Sequence, residues 1–288
     1  MNLISLSEAS KDFGIRSLFK NLNLHINDGE KIGLIGENGA GKTTLLKILA
    51  GIEPLGTGKR ICSPKLSIGL VNQESKIKSE RSVIEEVLAN CGEKRELLLR
   101  FNQLSIELAK NPESKKLLTD LGRISEKMDT AQAWRLEQEC KVILQRLGIK
   151  DLSLPVKSLS GGYQKRVGLA SVLVSKPDVL LLDEPTNHLD ASAVQWLQSW
   201  LGKFNGSIIL VTHDRYFLDQ ITERIIEVSN GEVYKYNGNY STFLKQKTQQ
   251  EKVKASIEAK FNGILRKELA WLKQGPKARS TKQKARIK

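Results

Sequence analysis

The sequence predicts an α/β fold that contains a mainly parallel sheet, and three observations lead to this fold class. An apolar run at 31–35 enters a glycine-rich turn, which opens a helical pattern at 44–50. A second apolar run, 179–182, ends in two acidic residues. After it, strand patterns return at 208–212 and 225–228. Buried strands that alternate with helices are typical of a parallel sheet covered on both faces.

The other elements follow in chain order. Short strand patterns at 3–7 and 22–26 precede the first buried strand. Residues 81–148 have the composition and periodicity of helices, with Ser82 in the position of an N-cap. The Asn111-Pro112 pair predicts a break between two of these helices.

The C-terminal part combines a hairpin signal with a long helical one. Asn230-Gly231, between two β-rich stretches, predicts a tight hairpin turn. An amphipathic helix is predicted beyond Lys245 and is stopped by Gly275-Pro276; its apolar residues, mostly four apart, are Val253, Ile257, Phe261, Leu265, Leu269 and Leu272. A second helical pattern then begins without a closing signal. We therefore expect the chain to be a fragment of a longer protein.

Positive charge is concentrated at the C-terminal end. The chain has 288 residues and a formal net charge of +14, and residues 245–288 hold 14 Lys or Arg against three Glu. Residues 1–244 carry 32 basic and 29 acidic side chains. A basic tail suits a polyphosphate partner such as a nucleic acid, and the alternative is a solvated, poorly ordered tail.

Composition excludes several classes of protein. The three cysteines, Cys62, Cys91 and Cys140, form no C-x-x-C pair, so neither a disulfide framework nor a zinc site is expected. The N-terminus lacks the pattern of a signal peptide, and no apolar run approaches the ~20 residues that span a bilayer. These features predict a soluble, cytoplasmic chain.

The glycine-rich turn fits the phosphate-loop pattern G-x-x-x-x-G-K-[ST]. Backbone N–H groups of such a loop surround phosphate oxygens, the lysine neutralises the β- and γ-phosphates, and the hydroxyl side chain binds Mg²⁺. The strand-to-helix setting argues against a chance glycine turn. The sequence therefore predicts ATP and Mg²⁺ as cofactors, with ATP bound by Gly36, Asn38, Gly39, Gly41, Lys42, Thr43 and Thr44.

Two acidic residues, Asp183 and Glu184, end the second apolar run. This is the carboxyl edge of a strand, where open α/β sheets bind their ligands. We expect Asp183 and Thr43 to hold Mg²⁺ and Glu184 to polarise the attacking water. The alternative, a simple strand cap, is weakened by the phosphate loop upstream.

A Leu-Ser-Gly-Gly-Tyr motif begins at 159 and opens another helical pattern near Tyr163. Ser160 lies in the position of an N-cap, and a helix N-terminus with bare glycines is an anion site. Many helices begin this way, so the motif becomes specific only through its place between a phosphate loop and an Asp-Glu strand.

The order of these motifs over residues 1 to about 240 resembles the nucleotide-binding domain of ABC ATPases. The resemblance implies a P-loop core, an antiparallel β subdomain and an α-helical subdomain. It implies that Phe13 stacks on adenine, Gln73 reaches Mg²⁺ and the catalytic water, and His213 contacts the γ-phosphate. The alternatives are a core Phe13, a surface Gln73 and an ordinary loop histidine.

In ABC ATPases the signature motif acts on ATP held by a second domain. The resemblance therefore implies that Ser160, Gly161 and Gly162 contact the ATP of a partner domain. It also implies that Asp190 faces this partner domain. We expect a nucleotide-binding domain at 1–244, with a helical subdomain and short arm at about 81–158, and a truncated basic linker at 245–288.

Three stretches are similar to the ABC-F branch, whose members lack membrane domains and act on ribosomes. They are 184–190 (Glu-Pro-Thr-Asn-His-Leu-Asp), 212–219 (Thr-His-Asp-Arg-Tyr-Phe-Leu-Asp) and 159–166 (Leu-Ser-Gly-Gly-Tyr-Gln-Lys-Arg). Tyr163 replaces the glutamine that is commonest in transporters.

The tail at 269–287 is similar to the interdomain linker of ABC-F proteins, above all of Uup-like members. In that family the linker is a helical hairpin whose tip approaches tRNA. The resemblance predicts ribosome or tRNA partners and phosphate contacts from Lys277, Arg279, Lys282, Lys284 and Arg286. Two alternatives stay open: a DNA-associated ATPase of genome maintenance and the ATPase subunit of a membrane transporter.

Overall fold

The computed structural model describes residues 1–13, 16–72 and 79–273. The chain divides into two compact units, Met1–Tyr240 and Ser241–Lys288. The strands are β1 (Asn2–Phe13), β2 (Arg16–Asn27), β3 (Lys31–Gly36), β4 (Thr57–Cys62), β5 (Ile68–Val71), β6 (Val179–Asp183), β7 (Ser207–Val211), β8 (Arg224–Ser229) and β9 (Glu232–Asn237). The helices are α1 (Lys42–Ala50), α2 (Val83–Leu88), α3 (Glu93–Lys110), α4 (Lys115–Thr130), α5 (Ala133–Arg146), α6 (Gly161–Ser175), α7 (Ala191–Gly202), α8 (Arg215–Ile221) and α9 (Tyr240–Lys273).

The central sheet of the first unit has the strand order β5-β6-β7-β3-β8-β9. Its first five strands are parallel, and β9 pairs antiparallel with β8. Val179 and Leu181 of β6 join one hydrophobic core, whereas Leu180 and Leu182 join the other. Burial on both faces explains why this strand is a continuous apolar run.

A smaller antiparallel sheet, with the order β2-β1-β4, shares a hydrophobic core with α1. The helices α2, α5 and α6 contribute to the core on the other face of the central sheet. Helix α2 begins with a capping box, in which the Ser82 side chain accepts from the Glu85 amide while Glu85 accepts from the Ser82 amide. The α/β class predicted from the sequence is thereby confirmed, with both a parallel and an antiparallel sheet.

Several local predictions are confirmed, and two strands are missed. Ser82 is the N-cap of α2, α3 ends at Lys110 with Asn111 as its C-cap, and Asn230-Gly231 forms the β8–β9 turn with positive φ at both residues. Neither β4 nor β5 was predicted. β4 is mostly exposed and β5 has only four residues, so neither shows the apolar periodicity of the longer strands.

The second unit contains most of α9, which covers the predicted amphipathic segment as far as Lys273. Six of its apolar side chains are 44–65% exposed: Val253, Ile257, Phe261, Ile264, Leu265 and Leu269. Gly275-Pro276 and the five predicted nucleic-acid contacts, from Lys277 to Arg286, lie outside the described residues. No helix in the described part of the chain is both long and apolar enough to cross a bilayer.

Candidate active site

The phosphate loop connects β3 to α1 and relies on glycine at two tight positions. Gly36 has φ +154°, and a Cβ there would lie 2.3 Å from the Val228 carbonyl oxygen. Gly41 has φ +99°, and its Cβ would lie 3.1 Å from Leu18. Because L side chains rarely adopt such φ values, the loop keeps this shape only with glycine.

Lys42, the first residue of α1, lies against its own loop. Its ammonium donates to the carbonyl oxygens of Gly36 at 2.8 Å and Glu37 at 3.0 Å. Burial lowers the pKa of Lys42 below its usual value, and the nearby carboxylates of Glu184 and Asp183 oppose part of that shift. The charge is thus held at the mouth of the loop, where phosphate oxygens are expected.

Asp183 ends β6 and is almost fully buried, with 3% of its surface exposed. The Thr43 hydroxyl donates to Asp183 Oδ2 at 2.6 Å. Burial raises the pKa of Asp183, while the hydrogen bond from Thr43 and the charge of Lys42 oppose the shift. Strand β6 and helix α1 therefore meet through the two residues that were predicted to hold Mg²⁺.

This pair of oxygens fits a hard divalent cation. Mg²⁺ prefers oxygen ligands and is usually bound by one or two protein groups together with substrate phosphates. Thr43 and Asp183 would hold it beside the phosphate loop, where the cation would neutralise charge on the phosphates.

Glu184 follows Asp183 in the left-handed backbone region, with φ +51°. Its amide donates to the Val211 carbonyl at 2.8 Å, so β7 fixes its position. The side chain is 8% exposed, and its Oε2 accepts from the His213 amide at 3.4 Å. Its buried Oε1 has no hydrogen-bond partner among the described residues and lies 3.6 Å from His213 Nε2. A buried acceptor without a donor is suited to orienting a water molecule.

These groups line one open cleft of about 580 Å³. Such a volume is typical of small-molecule sites. Sequence reasoning did not assign Leu18, Asn187 or Val211, which also line the cleft. Asn187 lies within the 184–190 motif, which was a usable signal; Leu18 had none. The predicted site residues that line it are Asn38, Gly39, Gly41, Lys42, Thr43, Thr44, Asp183, Glu184 and His213.

The signature motif lies elsewhere in the unit. Ser160 is the N-cap residue of α6, as predicted, but its side chain makes no capping hydrogen bond. Ser160 and Gly161 are exposed and Gly162 is half-buried, and none of the three lines the cleft. The structure therefore does not bring these predicted ATP contacts to the phosphate loop of the same chain.

The remaining predicted residues are less informative. Asp190 caps α7 and accepts from the Ala193 amide at 2.8 Å and from the Ser192 hydroxyl at 2.7 Å. These two hydrogen bonds lower the pKa of Asp190. Phe13 ends β1, and Gln73 lies outside the described residues. The roles expected of all three stay predictions.

Comparison with known families agrees with this geometry. A family model described as ABC transporter matches residues 19–187, and a second model with the same description matches residues 226–288. The chain belongs to the ABC family of ATP-binding domains.

Three curated relatives match nearly the whole chain, and all three are ABC-F proteins, which confirms the predicted branch. The Bacillus subtilis protein YfmR, an uncharacterized ABC transporter ATP-binding protein, is 40% identical over 100% of this chain and 46% of its own length. The energy-dependent translational throttle protein EttA of Mycobacterium tuberculosis is 39% identical over 99% and 51%. The ATP-binding protein Uup of Escherichia coli is 38% identical over 100% and 45%. The chain thus spans about half the length of these relatives.

The fold also matches solved structures. An ATP-binding subunit of an ABC transporter superposes with a TM-score of 0.61 over 82% of this chain and 90% of its own, at 17% identity. At that identity the match concerns the fold alone, and it supports the ABC nucleotide-binding architecture.

Proposed function

We propose that this chain binds Mg-ATP in the cleft and hydrolyses it to ADP and phosphate, with Glu184 as the general base. The observation that carries the proposal is the convergence of Lys42, Thr43, Asp183 and Glu184 on one cleft at the carboxyl edge of a parallel sheet. Each supplies one of the functions that phosphoryl transfer requires.

The proposed chemistry assigns each group a step. The loop amides and Lys42 bind the phosphates, and the ammonium exchanges its two carbonyl acceptors for phosphate oxygens. Glu184, through Oε1, accepts the proton of the water that attacks the γ-phosphorus. His213, 70% exposed at the cleft, donates to the γ-phosphate and stabilises the charge that develops there in the transition state.

The complete site is proposed to need a second ABC domain. Within one chain the signature residues do not line the cleft, and an exposed helix N-terminus with two glycines fits a phosphate presented from outside. Two domains arranged head to tail would place Ser160 and Gly162 of one domain on the ATP of the other. Relatives about twice as long as this chain are consistent with a second domain in the same polypeptide.

Dilution tests this arrangement. ATP turnover per chain is expected to be low for the isolated chain and to rise with its concentration as two copies associate. The Lys42→Ala variant provides the background. Turnover that is high and independent of dilution would contradict the two-domain site, and absence of turnover at every concentration would contradict hydrolysis by this chain.

The proposed partner is structured RNA of the ribosome or a tRNA, bound by the basic segment at 245–288. Its support is an excess of 11 positive charges and the similarity to a protein named a translational throttle. Lys277, Arg279, Lys282, Lys284 and Arg286 are the proposed phosphate contacts, and domain closure on ATP would move the segment that carries them.

A competition experiment separates the candidate partners. The chain is titrated with labelled tRNA, rRNA and duplex DNA at equal salt, and sedimentation with ribosomes is compared with flotation on membranes. Affinity for the RNAs should fall as salt rises. A preference for duplex DNA, or binding to membranes instead of ribosomes, would overturn the ribosomal proposal.

A further inference from the structure

Arg166, in the second turn of α6, connects three segments of the first unit. Its Nε donates to the His188 carbonyl at 2.9 Å, and one terminal nitrogen donates to the same oxygen. The other terminal nitrogen donates to the Leu147 carbonyl at 3.0 Å. The guanidinium also lies 5.1 Å from the centre of the Tyr163 ring. One side chain thus joins α6, which we call the signature helix because the signature motif opens it, to the C-terminal end of α5 and to the loop that follows β6.

The surroundings of Arg166 leave space for this arrangement. Gly148 has φ +79°, and a Cβ there would lie 2.8 Å from the terminal nitrogen of Arg166. Its neighbour Lys165 has its ammonium 3.3 Å from His188 Nε2. Both basic residues of the α6 turn are therefore directed at His188.

The segment that Arg166 holds begins with the proposed general base. Glu184 and His188 both have positive φ, +51° and +69°. In this turn the Asn187 amide donates to the Glu184 carbonyl and the Leu189 amide to the Thr186 carbonyl, each at 3.2 Å. Two left-handed non-glycine residues in five are costly unless surrounding contacts fix them. Arg166 supplies such a contact at the far end of the turn.

Arg166 and Glu184 also line the same small cavity. Its volume is about 20 Å³, which is enough for one water molecule. A displacement of the guanidinium therefore changes the shape of a cavity that Glu184 also lines.

We propose that Arg166 is a positioning residue, which sets the orientation of Glu184 through the His188 carbonyl and so couples the signature helix to the hydrolytic site of the same chain. The inference rests on the proposed ATP hydrolysis. A partner's nucleotide bound at the N-terminus of α6 would shift the helix that carries Arg166. Through the contact with His188, this shift would change the orientation of Glu184, some 20 residues away in sequence.

The test compares Arg166→Ala, Arg166→Lys and Arg135→Ala with the wild-type chain at saturating chain concentration. Arg135 is the control because its side chain is 75% exposed and its ion pair with Glu139 lies within α5. Arg166→Ala should lower kcat about a hundredfold, because small displacements of catalytic groups have effects of this size. Its KM for ATP should stay within about twofold of wild type, because the phosphate loop is untouched. Arg166→Lys should lower kcat about tenfold, because an ammonium cannot reproduce the forked contacts of a guanidinium.

Hydrogen exchange supplies a readout that does not depend on turnover. In Arg166→Ala the amides of Asn187 and Leu189 should exchange faster, whereas the Ala40 amide of the phosphate loop should not change. A kcat within twofold of wild type in both Arg166 variants would overturn the proposal, as would unchanged exchange at Asn187 and Leu189. If Arg166→Ala does not fold, Arg166→Lys decides. A wild-type chain without turnover would refute the proposed hydrolysis, and the exchange result would still judge the contact between Arg166 and the loop.

Discussion

The glycines of the phosphate loop and those of the signature motif differ in what surrounds them. A Cβ on Gly36 would meet a backbone oxygen at 2.3 Å, and Gly36, Gly39 and Gly41 all have positive φ. A Cβ on Gly161 would meet no atom of the described residues within 4 Å, and one on Gly162 would make an ordinary contact with His188 at 3.6 Å. The fold of a single chain thus requires the first set of glycines, and no contact within the described part of the chain requires the second.

This difference indicates where each motif finds its ligand. The phosphate loop connects β3 to α1, and its glycines lie against Leu18 of β2 and Val228 of β8. The signature glycines leave open space in front of a helix N-terminus, where the N–H groups favour an anion. The two regions can be separated experimentally, because substitutions in them are expected to fail in different ways.

The largest expected effect is on chemistry at the phosphate loop. Glu184→Gln should lower kcat about a thousandfold while ATP binding is retained, because the amide keeps the shape of the side chain and loses its basicity. Glu80→Gln is the control, since the Glu80 side chain is 77% exposed and forms a surface ion pair with Lys157. Steady-state turnover and nucleotide binding are measured together. Turnover of Glu184→Gln within tenfold of wild type would remove Glu184 from the proposed role.

Next is the fold of the phosphate loop. Gly36→Ala should reduce the free energy of unfolding by about 2 kcal/mol, because the new Cβ clashes with the Val228 carbonyl and the backbone cannot relax without strain. Gly161→Ala, in open space, should leave the denaturation midpoint unchanged or slightly raised. Equal destabilisation by both substitutions would contradict the conclusion that the fold requires the glycines of the phosphate loop and not those of the signature motif.

The signature motif should show the opposite behaviour. Gly162→Ala should lower turnover about tenfold, which corresponds to about 1.4 kcal/mol, without loss of folding stability. Mixing Gly162→Ala chains with Lys42→Ala chains should restore activity above that of either variant, because the mixed pair retains one site with an intact loop and an intact signature. Additive background activity in the mixture would contradict the head-to-tail site.

The smallest effect is expected in α2, where a substitution should change stability and leave turnover unchanged. Ser82→Ala should cost about 1 kcal/mol of stability through loss of the capping box, with no change in turnover. Hydrogen bonds from Ser82 lower the pKa of Glu85 in the folded state. The stabilisation is therefore present above the unfolded pKa and is lost as pH falls through the lower, folded value. Denaturation curves of both proteins between pH 7 and pH 3 should converge at the acidic end.

Much of the fold was predictable, because buried parallel strands and a glycine-rich turn leave strong local patterns. The loop residues and the Asp183-Glu184 pair followed from spacing alone. The positive φ of Glu184 and the contact of Arg166 with His188 were not predictable, because both depend on backbone shape across segments that are distant in sequence. Ser160 is the N-cap residue, as predicted, but its side chain makes no capping hydrogen bond, because propensity indicates where a helix begins and not how its side chain is oriented.

The strand order around β3 also determines when the site can form during synthesis. β3 pairs with β7 and β8, so Gly33 lies opposite Leu210 and Ile225. At about 5 to 20 residues per second, roughly 10 to 40 seconds separate the synthesis of the phosphate loop from that of both neighbouring strands. Throughout that interval β3, an apolar strand, lacks both of its neighbours in the central sheet. The phosphate loop is thus synthesised well before β7 and β8, and it can reach its final environment only after both strands have formed.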